Sequence, residues 1–130
     1  MNLPPPLHPW DVSAAEAIAI QNRLARRVRA AGHPQPLRLV AGLDAAFTRD
    51  GRYCVGAVAL WDIREHRIVE RHLARARLRF PYIPGLLSFR EAPALLAALR
   101  RLRRKPDVLM CDGQGMAHPR RLGIASHMGL

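Results

Sequence analysis

The chain has 130 residues, 49% of them hydrophobic and spread along its length, and a formal net charge of +11. That length suits one domain around one core, and the spread of apolar residues excludes a disordered chain. No apolar run reaches the length of a bilayer span, and the start Met1-Asn2-Leu3 followed by three prolines lacks the order of a secretory signal. Cys54 and Cys111 are too few and too far apart for a disulfide framework or a zinc knuckle, so a reducing cytoplasm is expected. The charge implies salt-dependent attraction to polyanions. Of the 21 Lys and Arg residues only Lys105 is a lysine, so the placement of arginines says more than their number.

Residues 1–12 are proline-rich and are expected to be extended or poorly ordered. Ser13 and Glu16 form a capping box, after which Ala17, Ile20, Leu24, Val28 and Ala31 make one apolar stripe of a helix that Gly32 would end. Leu37 to Phe47 reads as a strand, Arg49-Asp50-Gly51 as a hairpin turn, and Tyr53 to Trp61 as a second strand. A turn over Asp62 to His66 leads to a third strand from Arg67 to about Leu78. Its Arg67, Arg71, Arg75, Arg77 and Arg79 fall on odd positions, which puts them on one face, most simply a solvated one, unless a bulge intervenes. Leu95, Leu96, Leu99 and Leu102 are a helical stripe that Pro106 closes, and Val108 to Cys111 is a short buried strand. A helix between the two strands makes this fourth strand parallel to one of the first three. Pro119 is placed to open a last helix.

Several residues carry chemistry. Asp44 interrupts an apolar strand, where a carboxylate is costly unless paired or bound to a cation. Asp112 directly follows the fourth strand, and if that strand runs parallel to the first, both acids approach one sheet edge. Pro81-Tyr82-Ile83-Pro84-Gly85 is a turn stiffened by two prolines that displays an aromatic ring, with Gly85 free of Cβ restriction. Glu91 follows at a helix entrance whose start is ambiguous: Ser88 to Glu91 is itself a capping box, but it sets Pro93 inside the helix, whereas a start at Pro93 leaves Ala92 as a poor cap. Gly113, Gln114 and Gly115 leave little side chain to block a ligand, and His118, Arg120 and Arg121 supply donors nearby. His66 and His72 lack ligand spacing. His127 is best read as structural or solvent-exposed, and Cys111 as core packing.

Ala41-Gly42-Leu43-Asp44, then Pro81 to Glu91, then Asp112-Gly113-Gln114-Gly115-Met116-Ala117-His118-Pro119-Arg120-Arg121-Leu122-Gly123 occur in the order found in the endonuclease V family, which this chain resembles from about Ala15 to Leu130. The resemblance implies an α/β ribonuclease H-like fold: a three-strand antiparallel meander, a parallel fourth strand and flanking helices. Residues 1–12 would precede the domain and 13–130 would form its N-terminal portion, because members continue well past residue 130. It implies a DNA repair endonuclease that cuts the second phosphodiester bond 3′ to deoxyinosine, using Mg²⁺ (or Mn²⁺) held by Asp44 and Asp112, with Glu91 as the third catalytic acid. Tyr82 would be a strand-separating wedge, with Pro81, Ile83, Gly85, Gly113, Gln114, Gly115, His118 and Arg120 at the DNA. Where the family often has His, this chain has Gln114. The expected partner is DNA with deaminated bases, the expected state a monomer without membrane attachment. The alternatives are a truncated, non-catalytic nucleic-acid binder and an inosine-directed ribonuclease. Residues 1–130 alone are expected to be marginally stable and severely impaired in cleavage.

Overall fold

The computed structural model describes residues 1–33 and 36–130. Four strands, β1 (Leu39–Phe47), β2 (Tyr53–Asp62), β3 (Arg67–Arg77) and β4 (Val108–Cys111), form one sheet in the order β3-β2-β1-β4. β1, β2 and β3 pair antiparallel and β4 pairs parallel to β1. Helix α2 (Leu87–Leu99) makes the crossover and packs on one face of the sheet against β2 and β3. Ala41, Leu43, Val58, Leu60 and Ala74 meet Leu95, Ala98 and Leu99 in the main core. The helix approaches so closely that a Cβ on Gly56 would lie 2.4 Å from the carbonyl oxygen of Ala94, so only glycine fits there.

The other face of the sheet is open. Leu73 and Met110 are more than 60% exposed on it, and Arg71, Arg75 and Arg77 alternate along β3 beside them. Arg67 is not in this row. A bulge opposite Leu60 and Trp61 pairs Glu70 with Leu60 but Ile68 with Trp61, so the alternation shifts by one and Arg67 falls on the other side. Arg79 lies beyond the strand.

Helix α1 (Ala14–Ala25) opens with the Ser13–Glu16 capping box, both hydrogen bonds present. It ends at Ala25, well before Gly32. Ala17, Ile20 and Leu24 bury against Phe80, Leu86, Phe89 and Leu122; beyond Leu24, Ala25 and Val28 still pack on this cluster, while Arg26, Arg27 and Arg29 are exposed. The last helix, α3 (Ile124–Gly129), begins five residues after Pro119, which sits in a turn; Arg121 there adopts φ +58°. Residues 1–12 have no helix or strand but dock along the body. The amino terminus donates to the carbonyls of Arg100 and Leu102, Leu3 packs on the core, and His8 is buried.

Candidate active site

The parallel ladder of β1 and β4 pairs Leu43 with Cys111, and the N–H of Asp112 continues it to the carbonyl of Leu43 at 3.3 Å. Asp44 and Asp112, one step further, are therefore lateral neighbours on adjacent strands, which run about 4.8 Å apart. Leu43 is buried and Cys111 packs on the core, while Asp44 and Asp112 are exposed and line the same broad concavity of about 1000 Å³ over the open face. Alternation along both strands thus places both carboxylates on that side together.

Glu91 is the fifth residue of α2 and is half-buried. Its carboxyl is held above the ordinary glutamate range, first by burial and then by the charges of Asp44 and Asp112, with Arg90 acting in the opposite direction. Three acids from β1, α2 and β4 therefore share one electrostatic neighbourhood. Burial, and then the charge of Glu91, push the adjacent Cys54 thiol up to about 11, so that sulfur is inert. Among the described residues no three His, Cys, Asp or Glu side chains are gathered into a ready-made cage. Two neighbouring strand carboxylates that raise the pKa of a third acid nonetheless fit a hard cation, which takes oxygen ligands and keeps water and substrate phosphate in its remaining positions.

Neither start of α2 anticipated from sequence occurs. The helix opens at Leu87 after Leu86, without a side-chain cap, and carries Pro93 within it. Ser88 is buried inside the first turn, and its hydroxyl faces Nδ1 of His127 at 2.8 Å. Phe89 and Leu86 are anchored in the α1 cluster, and that burial decides where the helix starts. Arg90 donates to the carbonyl of Phe80 at 2.9 Å and lies over the ring of Phe47 at 4.7 Å.

The loop before α2 has the form expected of a rigid display. Leu86 N–H closes a turn on the carbonyl of Ile83 at 3.0 Å, with Pro84 second and Gly85, φ +83°, third, the type II pattern. Tyr82 is 70% exposed beside this turn. Between the loop and the 113–115 segment lies a cavity of about 330 Å³, lined by Tyr82, Ile83, Gly85, Ser88, Gln114 and His118 among others.

Two of the glycines after β4 also permit close packing within the chain. A Cβ on Gly113, φ +151°, would sit 2.4 Å from Ile124, and one on Gly123 would sit 2.2 Å from the carbonyl oxygen of Gln114. The carbonyls of Gln114 and Gly115 accept from the N–H groups of Ala125 and Gly123 at 3.0 and 2.9 Å. The loop therefore packs against the start of α3 and occupies its first donors. His118 and Arg120 turn toward the Tyr82 loop, both donating to the carbonyl of Gly85, at 2.8 and 3.2 Å. Gln21, on α1, also donates to Gly85, at 2.8 Å, and was not singled out from the sequence. Its signal was a polar residue at helical spacing from Ala17 and Leu24, inside the apolar face.

His127 is buried in a chain that runs from Ser88 through His127 to His8, with the two Nε2 atoms 2.7 Å apart, and Trp10 and Phe89 pack around it. It is structural.

The sequence profile described as Endonuclease V matches residues 22–130. The chain belongs to the endonuclease V family. Endonuclease V of Trichormus variabilis is 50% identical over 124 residues, an alignment covering 95% of this chain and 56% of the relative. The crystal structure of endonuclease V from Streptomyces avermitilis superposes with a TM-score of 0.84 at 41% identity, covering 92% of this chain and 54% of that one. Endonuclease V of Ciona intestinalis, solved with a 24mer DNA containing an inosine followed by a ribo-adenosine, superposes with a TM-score of 0.80 at 26% identity, covering 88% and 52%. The fold is thus the ribonuclease H-like one of these endonuclease V structures, and the chain spans about half the length of the relatives it matches.

Proposed function

We propose that residues 13–130, preceded by the proline-rich segment 1–12, are the N-terminal portion of a monomeric, cytoplasmic repair nuclease. Its reaction would be cleavage of the second phosphodiester bond 3′ to deoxyinosine in DNA, with Mg²⁺ (or Mn²⁺) as cofactor. The observation that carries this reading is the adjacency of Asp44 and Asp112, with Glu91 in their field, beside the exposed Tyr82 turn and its cavity. The inosine-containing DNA bound by the Ciona relative supports the choice of substrate.

In this mechanism Tyr82, stiffened by Pro81 and Pro84, enters the duplex and repays part of the unstacking, which costs a few kcal/mol per step. The displaced base occupies the cavity between Ile83, Gly85 and Gln114, with Gly113 and Gly115 shaping its floor through the α3 contact. His118 and Arg120 act on DNA through the loop they hold. Asp44 and Asp112 would hold the cation, which when bound supplies Lewis-acid polarisation of the phosphate and a more acidic water. Glu91 completes the acidic group beside the phosphate. A second reading, an inosine-directed ribonuclease, draws on the ribo-adenosine in the Ciona ligand; comparison of deoxyinosine and inosine strands separates the two.

Asp44→Asn or Asp112→Asn in the complete gene product is expected to lower Mg²⁺-dependent nicking of a deoxyinosine duplex at least about a hundredfold, since each removes part of a several-kcal/mol electrostatic contribution. Duplex binding should persist, because losing negative charge does not weaken attraction to phosphate. Undiminished nicking by either variant would contradict the assignment.

A further inference from the structure

The carbonyl oxygen of Gly85 is a meeting point for three side chains from distant parts of the chain. Gln21 Nε2 and His118 Nε2 each lie 2.8 Å from it and Arg120 Nη2 lies 3.2 Å away. Gln21 closes the circuit: its Oε1 accepts from Arg120 Nε at 2.5 Å, and its Nε2 also faces the carbonyl of Leu122 at 3.5 Å. The orientation of the amide is set by its neighbours, because a flipped amide would turn a donor to the guanidinium and an acceptor to two carbonyls. The tautomer of His118 is set as well. Its Nδ1 accepts the N–H of Arg120 at 3.0 Å, so Nε2 carries the proton donated to Gly85.

Gln21 is 1% exposed, embedded among the apolar residues of α1. A buried amide in that setting is costly unless every polar atom is paired, and among the described residues no buried side-chain polar atom lacks a partner. Gly85 is the third residue of the turn that follows Tyr82, and the Tyr82 ring is mostly in solvent, with little packing of its own. The pose of that ring is therefore governed by the turn, and the turn is held from α1.

We propose that Gln21 is a positioning residue for the wedge: by bridging Gly85 and Arg120 it fixes the pose in which Tyr82 meets DNA, and lesion discrimination depends on it although it lies on a different element from all three acids. This rests on the reading of the Tyr82 loop as the strand-separating element.

Tyr53 and Tyr82 are the only two tyrosines, so the 130-residue chain labelled with 3-fluorotyrosine gives two ¹⁹F resonances. Tyr53 sits on β2 under Arg75 at 4.3 Å and serves as an internal control. Gln21→Met, close in shape but without the hydrogen bonds, is expected to shift and broaden the Tyr82 resonance and leave that of Tyr53 in place. The ratio of affinities for deoxyinosine and undamaged duplexes should fall about tenfold, the scale of one buried hydrogen bond. Leu24→Ala weakens α1 packing without touching the circuit and should lower the melting temperature while preserving both readouts. If the Met variant does not fold, Gln21→Glu, which keeps an acceptor for Arg120 and loses the donor to Gly85, gives the same two readouts. An unmoved Tyr82 resonance with an unchanged ratio overturns the proposal, as does an equal loss of ratio in Leu24→Ala. Equal binding of both duplexes by the unsubstituted chain sinks the wedge reading instead, and the ¹⁹F comparison still decides whether Gln21 holds Tyr82.

Discussion

Glu91 is subject to two pressures, burial and like charge, that both favour its protonated form. A carboxyl whose pKa is higher in the folded than in the unfolded chain binds more protons when folded, so it subtracts stability once pH rises above its ordinary value of 4.5. Glu91→Gln is therefore expected to raise the melting temperature at pH 7.5 by a few degrees in divalent-free buffer, a gain that vanishes as pH falls below about 4. A thermal-melt series of both proteins across pH checks this; a gain independent of pH would mean that the charge of Glu91 is not the cause. The same residue shows why local sequence rules conflicted. Ser88 has the spacing of a cap for Glu91, yet its hydroxyl is directed to His127, so the capping box is not formed.

Among the elements, α3, α2 and the N-terminal segment are joined through His127, which meets Ser88 on one side and His8 on the other. Burial, and then the proximity of His8, bring the His127 pKa down to about 4 from an ordinary 6.5. The folded chain thus binds fewer protons than the unfolded chain between these values. The contribution is complete above pH 6.5 and is lost as pH falls toward 4, by about 3 kcal/mol. Denaturant titrations between pH 7 and pH 4 should show this decline, and His127→Leu should flatten it. The proline-rich segment was expected to be extended or poorly ordered; it has neither helix nor strand, bends at residues 7–8 and 10–11, and is held at both Met1 and His8. The prolines hid this, because docking depends on partners near Leu102 and His127, about a hundred residues away in sequence.

For the molecule as a whole, the charge of +11 is spread unevenly. Arg71, Arg75 and Arg77 share the open face with the two aspartates, separated by Ala57 and Leu73, which lie in register with Asp44 across β2 and β3. A nucleic acid reaching those acids meets a basic field. Binding of undamaged duplex is accordingly expected to weaken about a hundredfold or more between 50 and 200 mM salt, as for roughly four phosphate contacts. Fluorescence anisotropy across that range measures the slope, and a flat response would remove charge as the source of affinity.

The limits of β4, the end of β1, the start of β2 and the parallel crossover were legible in the residues, and the approach of Asp44 to Asp112 followed once β4 paired with β1. β1 begins at Leu39, two residues after the expected Leu37, and β2 runs one residue past Trp61. Strand alternation, turn chemistry and the handedness of a crossover are local or topological rules that act over a few residues at a time. The order of the Asp44, Tyr82 and Asp112 blocks was likewise enough to point to the endonuclease V family. What only the tertiary structure decided were quantities set by partners remote in sequence: the end of α1 at Ala25, the start of α2 at Leu87, and the bulge that removes Arg67 from the arginine row. The close approach that requires Gly113 and Gly123, and the circuit that makes Gln21 part of the Tyr82 loop, belong with them. Each depends on which apolar surface lies opposite or on which buried donor needs an acceptor, and one-dimensional periodicity carries neither.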